Sequence, residues 1–182
     1  EDLNDLTSLG FRGEALSSIA AVCQVELITK TPESLTGIRY IIEGGKEKSM
    51  EEIGAPSGTT FLVRNLFFNT PARRKFLKTA QTEAGYISEL MERMALSHPE
   101  VSFKFITGNQ TKLHTSGNHN LKDIIYNVYG RDIANNLAEI HEETPEGITL
   151  DGFIGKPVIS RGNRNYENDC VNGRYIKSKR IS

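Results

Sequence analysis

The chain has 182 residues and a net charge of −1, with 37% hydrophobic and 25% charged residues, which excludes a low-complexity chain and predicts a folded one with a sizeable core. No run reaches the roughly 18 apolar residues of a membrane-spanning helix, no signal-peptide pattern opens the sequence, and two distant cysteines and four scattered histidines lack the spacing of a metal site. We expect a reduced, intracellular protein, and we interpret the chain as an interior fragment because it lacks a starting Met.

The first part of the chain is predicted to begin with a helix and continue with strands. Residues 10–22 open with a glycine and carry apolar side chains on one helical face. Alternating residues predict a strand at 25–29, and further strands are predicted at 39–42 and 59–66, with turn residues between them. From Pro71 the pattern becomes helical. One apolar stripe then predicts a helix face buried in the core, formed by Ile87, Leu90, Met91, Met94 and Ala95.

The second part of the chain is predicted to contain hairpins and one short helix. The polar stretch Ser116–Asn120 predicts a domain boundary, and the apolar spacing from Leu121 to Val128 predicts a helix capped by Gly130. Asn172 and Gly173 predict a turn after a short strand. Four further strands are predicted, at 101–105, 111–115, 137–140 and 148–154. These patterns place the chain in the α+β class, in two unequal pieces.

The sharpest local motif is Gly10-Phe11-Arg12-Gly13-Glu14-Ala15-Leu16. Glycines at a helix start let backbone N–H groups face an anion, which the helix dipole also favours. The motif therefore predicts phosphate binding. It is neither a Walker A loop nor a dinucleotide fingerprint, and an ordinary helix cap with an acidic residue in the first turn explains it as well.

A second candidate site begins at Gly58-Thr59-Thr60. A glycine at a strand start allows close approach of a ligand, and the threonine hydroxyls can bond a base or a bound water. Threonine is also a common strand residue, so the pattern is explained without a ligand as well. A basic stretch without an acidic residue follows, with Arg64, Arg73, Arg74, Lys75 and Lys78.

The end of the chain is basic. Residues 156–182 hold seven basic and two acidic residues, a balance of +5, so the remaining residues sum to −6. Such a split predicts contact with a polyanion, although an ordinary hairpin with solvated charges explains it too. The candidate contacts are Arg161, Arg164, Tyr166, Arg174, Tyr175, Lys177, Lys179 and Arg180. No paired carboxylates, Cys–His pair or serine motif identifies a catalytic group.

Three stretches, taken in order and spacing, resemble the MutL family of DNA mismatch-repair proteins: Gly10–Leu16, Gly58–Leu77 and Val171–Arg174. The resemblance covers essentially the whole chain. It implies an α/β sandwich of the ATPase superfamily shared by gyrase, the Hsp90 chaperone, histidine kinases and MutL, followed by a ribosomal S5-like domain. On this basis residues 1–117 are expected to be a truncated ATPase domain, and 118–182 a truncated S5-like transducer domain that contacts DNA.

The resemblance also implies roles for individual residues. Gly10, Phe11, Arg12 and Gly13 would close a lid over ATP, with their backbone amides around the phosphates. Thr59 or Thr60 would lie near the adenine. Arg174 would face duplex DNA, and the local charge extends that expected surface to Arg161, Arg164 and Lys177.

ATP and Mg2+ are the implied cofactors. The family's glutamate base, its magnesium-binding asparagine and its adenine-reading aspartate would lie before Glu1, and its phosphate-contacting lysine would lie after Ser182. We therefore expect this segment alone not to hydrolyse ATP. One departure from the family pattern occurs at Asp169 and Cys170, where bulky apolar residues are usual, and it predicts weak packing of that strand.

The implied function is that of a DNA mismatch-repair ATPase that dimerises on binding ATP and contacts duplex DNA. Its partners would be mismatch-recognition and other repair proteins and a second identical or related subunit, without a membrane, in the bacterial cytoplasm or a eukaryotic nucleus. The alternative is a nucleic-acid-binding module with no nucleotide site. A third reading, an ATPase of the same superfamily that acts on proteins, fits the glycine motif but not Asn69–Leu77 or the basic end.

Overall fold

The computed structural model describes residues 13–177, which fall into two compact units that divide between Lys78 and Thr79. The domain boundary predicted at Ser116–Asn120 does not coincide with this division. It falls inside the second unit and stays a prediction. Among the described residues, no helix combines the length and the apolar character needed to cross a membrane.

Unit 1 is built on a four-stranded antiparallel sheet with a helix on one face. Its elements are α1 (Glu14–Val22), β1 (Gln24–Lys30), β2 (Gly37–Glu43), β3 (Lys46–Ile53), β4 (Gly58–Arg64) and α2 (Pro71–Arg74). The strand order is β3-β2-β1-β4, so β1 pairs with both β2 and β4. The strands predicted at 25–29, 39–42 and 59–66 are confirmed as β1, β2 and β4, although β4 ends at Arg64.

The core of unit 1 lies where α1 meets the sheet. Ala20 of α1 is buried with Cys23 and Val25, and Val22 and Ile42 pack against them. The side chains of residues 14–19 are all exposed. The helix therefore packs on the sheet through its carboxyl-terminal half only.

Strand β3 and the ion pairs of the opposite sheet face were not predicted. Most side chains of β3 are exposed and charged, which is usual for an edge strand but hides the alternation that identifies strands in a sequence. On the face opposite α1, Glu26 accepts hydrogen bonds from Arg39 at 2.7 Å and Arg64 at 3.3 Å. The bond from Arg39 is the main reason that the pKa of Glu26 is lowered.

Unit 2 combines helices with three two-stranded antiparallel hairpins. Its elements are α3 (Ala80–Ser97), β5 (Lys104–Thr107), β6 (Gln110–His114), α4 (Leu121–Tyr129), α5 (Arg131–Ala134), β7 (Leu137–Glu143), β8 (Thr149–Gly155), a 3-10 helix (Pro157–Ile159), β9 (Asp169–Val171) and β10 (Arg174–Ile176). The predicted hairpins and the Gly130 cap of α4 are confirmed. The two shortest helices, α5 and the 3-10 helix, were not predicted.

The core of unit 2 forms between α3, β6 and α4, around the buried residues Ala95, Leu113 and Ile124. Met91 packs against this cluster, as the apolar stripe of α3 predicts. Ala95 of the same stripe is buried, as predicted, but the prediction is wrong for Ile87, Leu90 and Met94, which are 48%, 55% and 41% exposed. One edge of the α3 stripe packs on β6 and α4, and the side chains of the other edge are exposed within the part of the chain that the structure describes.

Candidate functional site

The predicted lid meets the described residues at Gly13; Gly10, Phe11 and Arg12 lie outside them. Gly13 adopts a left-handed conformation, with φ 64°, directly before α1, and as a glycine it offers no side chain to cap the helix. The first N–H groups of a helix have no partner within it, so these groups are donors that an anion can use. The carboxylate of Glu14 lies in the same first turn and competes for the positive end of the helix dipole.

Thr59 and Thr60 lie on opposite faces of the sheet, because side chains alternate along β4. Thr59 pairs with Thr29 of β1, and the two hydroxyl oxygens are 2.9 Å apart. Thr29 is four residues from Val25, which packs beneath α1, so Thr59 is on the α1 face. Thr60 is on the face of the Glu26 ion pairs. Of the two threonines, Thr59 is therefore the one on the sheet face against which α1, the helix that follows Gly13, packs.

The predicted DNA-contacting turn is formed by Asn172 and Gly173, with φ 49° and 75°. Two left-handed residues are the signature of a tight hairpin turn. Arg174 is the first residue of β10, and Lys177 follows that strand; both side chains are exposed. Strand β9 pairs with β10 although its Cys170 is exposed, so the departure from the family pattern does not prevent the hairpin.

Helix α3 and the residue that follows it, His98, contact this hairpin. The guanidinium carbon of Arg93 lies 4.7 Å from the centre of the Tyr175 ring, a cation–π contact. Glu89, one turn earlier, pairs with Arg93. The imidazole of His98 lies against the turn, since a Cβ added at Gly173 would be 3.3 Å from its Cε1. The position of Arg174 therefore depends on contacts with α3.

The loop before β9 carries the other two predicted arginines, and aromatic side chains order it. Arg161 lies 4.4 Å from the centre of the Tyr166 ring, and that ring is 5.1 Å from the ring of Tyr129 on α4. The side chain of Asn168 donates a hydrogen bond of 2.6 Å to the Tyr129 hydroxyl oxygen. Burial raises the pKa of Tyr129, so the phenol stays protonated at neutral pH.

Arg164, in the same loop, pairs with Glu167 at 3.6 Å, and its side chain is 68% exposed. An ion pair this exposed is weak, and a phosphate can replace the carboxylate. The basic residues thus form two neighbouring groups in the sequence, one on the loop and one on the β9–β10 hairpin.

Arg93 and Tyr129 are the site residues that the sequence did not reveal. Both sit on helices, where an arginine near a glutamate and a tyrosine before a glycine look ordinary. In unit 1, Gly13 and Thr59 lie on separate elements. Within residues 13–177, no three His, Cys, Asp or Glu side chains come close enough to hold a metal ion.

The chain is similar to known proteins along its whole length. Residues 125–182 match the family model described as DNA mismatch repair protein, C-terminal domain. The chain is 67% identical over 182 residues to the DNA mismatch repair protein MutL of Agathobacter rectalis, and 45% identical over 181 residues to that of Clostridium botulinum. It spans 28% and 27% of the lengths of these two relatives.

The fold is also similar to a solved structure, the Aquifex aeolicus MutL ATPase domain complexed with ADP. The TM-score is 0.78 at 30% sequence identity. The match covers 99% of this chain and 67% of that one. Both units of the chain thus have counterparts in one solved ATPase domain.

Proposed function

The chain belongs to the MutL family of DNA mismatch-repair proteins, and we propose from this that it contributes to both the nucleotide site and the DNA-contacting surface of an ATPase. Its fold is that of a MutL ATPase region, an α/β ATPase sandwich followed by an S5-like domain. The observation that carries the proposal is the match of 99% of the chain to an ATPase domain complexed with ADP. The start of the family-model match at Ile125 supports a domain boundary at 117/118.

In the nucleotide half, the lid residues Gly10, Phe11, Arg12 and Gly13 would bind the phosphates through backbone N–H groups. The left-handed Gly13, which has no side chain to cap α1, fits this role. Bound ATP would supply the phosphoanhydride bond that is hydrolysed. We assign the adenine-side contact to Thr59, because it shares the α1 face of the sheet, whereas Thr60 lies on the other face. Mg2+ would be held mainly by residues outside this segment.

The matched pair Thr59→Val and Thr60→Val tests the nucleotide half in the full-length protein. Both changes replace a hydroxyl by a methyl group at exposed strand positions, and valine is an equally good strand residue. We expect Thr59→Val to raise the KM for ATP about five- to tenfold, the value of a hydrogen bond to a ligand. Thr60→Val should stay within about twofold of the wild type. Equal KM values for the two variants would contradict the assignment, and a full-length protein without ATP hydrolysis would contradict the proposed activity.

In the DNA half, we propose that Arg174, Arg161, Arg164 and Lys177 contact duplex DNA. Cations on ordered loops bind phosphates without a large loss of side-chain entropy. The contacts of Arg161 with Tyr166, and of the Gly173 turn with His98, supply that order. The full-length protein would dimerise on binding ATP and pass the signal to mismatch-recognition and other repair proteins in the bacterial cytosol.

A further inference from the structure

The segment Asn65–Thr70, which follows β4, reaches the carboxyl end of α1. The last turn of a helix leaves carbonyl groups without partners inside the helix. Here four consecutive carbonyls, those of residues 20–23, each accept a hydrogen bond from another part of unit 1.

Two chain segments supply the four donors. The turn between β2 and β3 donates from the N–H of Gly45 to Ala20 O at 2.8 Å and from the N–H of Gly44 to Cys23 O at 3.1 Å. The segment after β4 donates from the N–H of Phe67 to Val22 O at 2.8 Å and from Nδ2 of Asn69 to Ala21 O at 2.9 Å. Asn69 provides the one side-chain donor among these four bonds.

The backbone of the segment is shaped for this approach. Asn65 and Phe67 have φ 54° and 62°, and a left-handed phenylalanine is unfavourable unless its surroundings hold it there. The hydrogen bond from the N–H of Phe67 to Val22 O is one such restraint. Gly44 leaves room for the Asn69 amide, because a Cβ on Gly44 would lie 3.1 Å from Asn69 Nδ2.

These four hydrogen bonds restrain the carboxyl end of α1. The helix packs on the sheet only through its carboxyl-terminal half, and residues 14–19 are exposed. The restraints on this nine-residue helix therefore lie at its carboxyl end. A change in the bonds at its carboxyl end would therefore shift its amino end, which follows Gly13, the last residue of the predicted lid.

We infer that Asn69 is a positioning residue for the nucleotide site: its hydrogen bond to Ala21 O holds the carboxyl end of α1 and so sets the direction in which the helix presents Gly13. The inference rests on the proposed function, since α1 carries a lid only if the protein binds ATP. Asn69 does not touch the nucleotide in this assignment. It acts through the Ala21 carbonyl.

The test compares Asn69→Asp with Asn65→Asp in the full-length protein. Both changes turn a side-chain amide donor into an acceptor within one segment, but the Asn65 amide donates to the Gln24 side chain on β1 and not to α1. Asn69→Asp also places a negative charge at the negative end of the helix dipole. We expect the KM for ATP to rise about fivefold in Asn69→Asp, with kcat at saturating ATP within about twofold of the wild type. The uncharged variant Asn69→Ala should change KM in the same direction by a smaller factor.

Hydrogen exchange of the peptide 14–22 gives a second readout, which does not depend on turnover. We expect exchange about fivefold faster in Asn69→Asp and unchanged in Asn65→Asp. If the two variants match in KM and in exchange while the wild type hydrolyses ATP, the inference is wrong and the proposed function stands. If the wild type does not hydrolyse ATP, the proposed function fails and the inference fails with it.

Discussion

Gly173 shows how much a single residue determines at the turn that we propose contacts DNA. Its φ of 75° lies in the left-handed region, which residues with a Cβ occupy at a cost of about 1–2 kcal/mol. The side chain of His98 also fills the space beside it. The Asn-Gly pair predicts the turn from the sequence, because only a few residues tolerate this backbone. The neighbour at His98 could not be predicted, because it lies 75 residues earlier in the chain, at the end of α3.

We predict that Gly173→Ala lowers the free energy of unfolding by about 1–2 kcal/mol, through the left-handed conformation and the tight approach to His98. Gly162→Ala is the matched control, because Gly162 has open space around its Cβ position and no left-handed φ. The control should stay within about 0.5 kcal/mol of the wild type. Denaturant unfolding of both variants measures the difference. Equal stabilities would mean that the turn relaxes without cost.

At the scale of elements, the sequence predicts those parts whose pattern comes from local burial. Strand β1 alternates because one of its faces packs beneath α1, and α4 shows helical spacing because Ile124 and Ile125 are buried. Strand β3 was missed because it lies at the sheet edge, with few buried side chains. The stripe on α3 was only half right, since periodicity identifies an apolar face but not what covers it.

In the candidate site too, the sequence predicts the local features but not those that depend on tertiary structure. The Gly13 turn and the Asn172-Gly173 turn are local, so the sequence predicts both. The choice between Thr59 and Thr60 needs the register of β4 on β1, which comes from pairing across the sheet. The aromatic contacts of Arg161 and Arg93 need tertiary packing. Sequence spacing gives neither register nor packing.

Thr115 joins two segments of unit 2, and its substitution tests that link. Its hydroxyl is buried; it accepts a hydrogen bond from the N–H of Phe103 at 2.8 Å and donates one to Val101 O at 3.2 Å. We predict that Thr115→Val lowers the free energy of unfolding by about 1–3 kcal/mol, because an isosteric methyl group leaves both backbone groups without this partner.

Thr111→Val is the control for this change, since Thr111 is exposed on β6 in the same hairpin. It should stay within about 0.5 kcal/mol of the wild type, and thermal unfolding with calorimetry measures both variants. A Thr115 variant as stable as the wild type would show that water replaces the lost bonds, and that the segment before β5 does not depend on this side chain.

For the molecule as a whole, the separation of charge is the property that bears on DNA. The net charge of −1 conceals a basic end, residues 156–182, with a balance of +5. Counterion release makes the affinity of such a surface for duplex DNA fall with salt, with a slope of about −0.9 for each phosphate contact. Net charge alone predicts no such dependence, so the local arrangement of the cations decides it.

The salt dependence therefore distinguishes ordered contacts from general basicity. In the full-length protein, we predict that Arg174→Gln and Arg161→Gln each make the negative slope of log affinity against log salt shallower, reducing its magnitude by about one. Arg164→Gln should reduce that magnitude less than Arg161→Gln does, because Arg164 already pairs with Glu167. Arg131→Gln, an exposed change on α5 outside the basic end, is the control and should leave the slope unchanged. Titrations of labelled duplex DNA at several salt concentrations measure the slopes. If Arg131→Gln reduces the magnitude of the slope as much as Arg174→Gln does, the cations act through overall charge. The Asn172-Gly173 turn then makes no specific contribution to DNA binding.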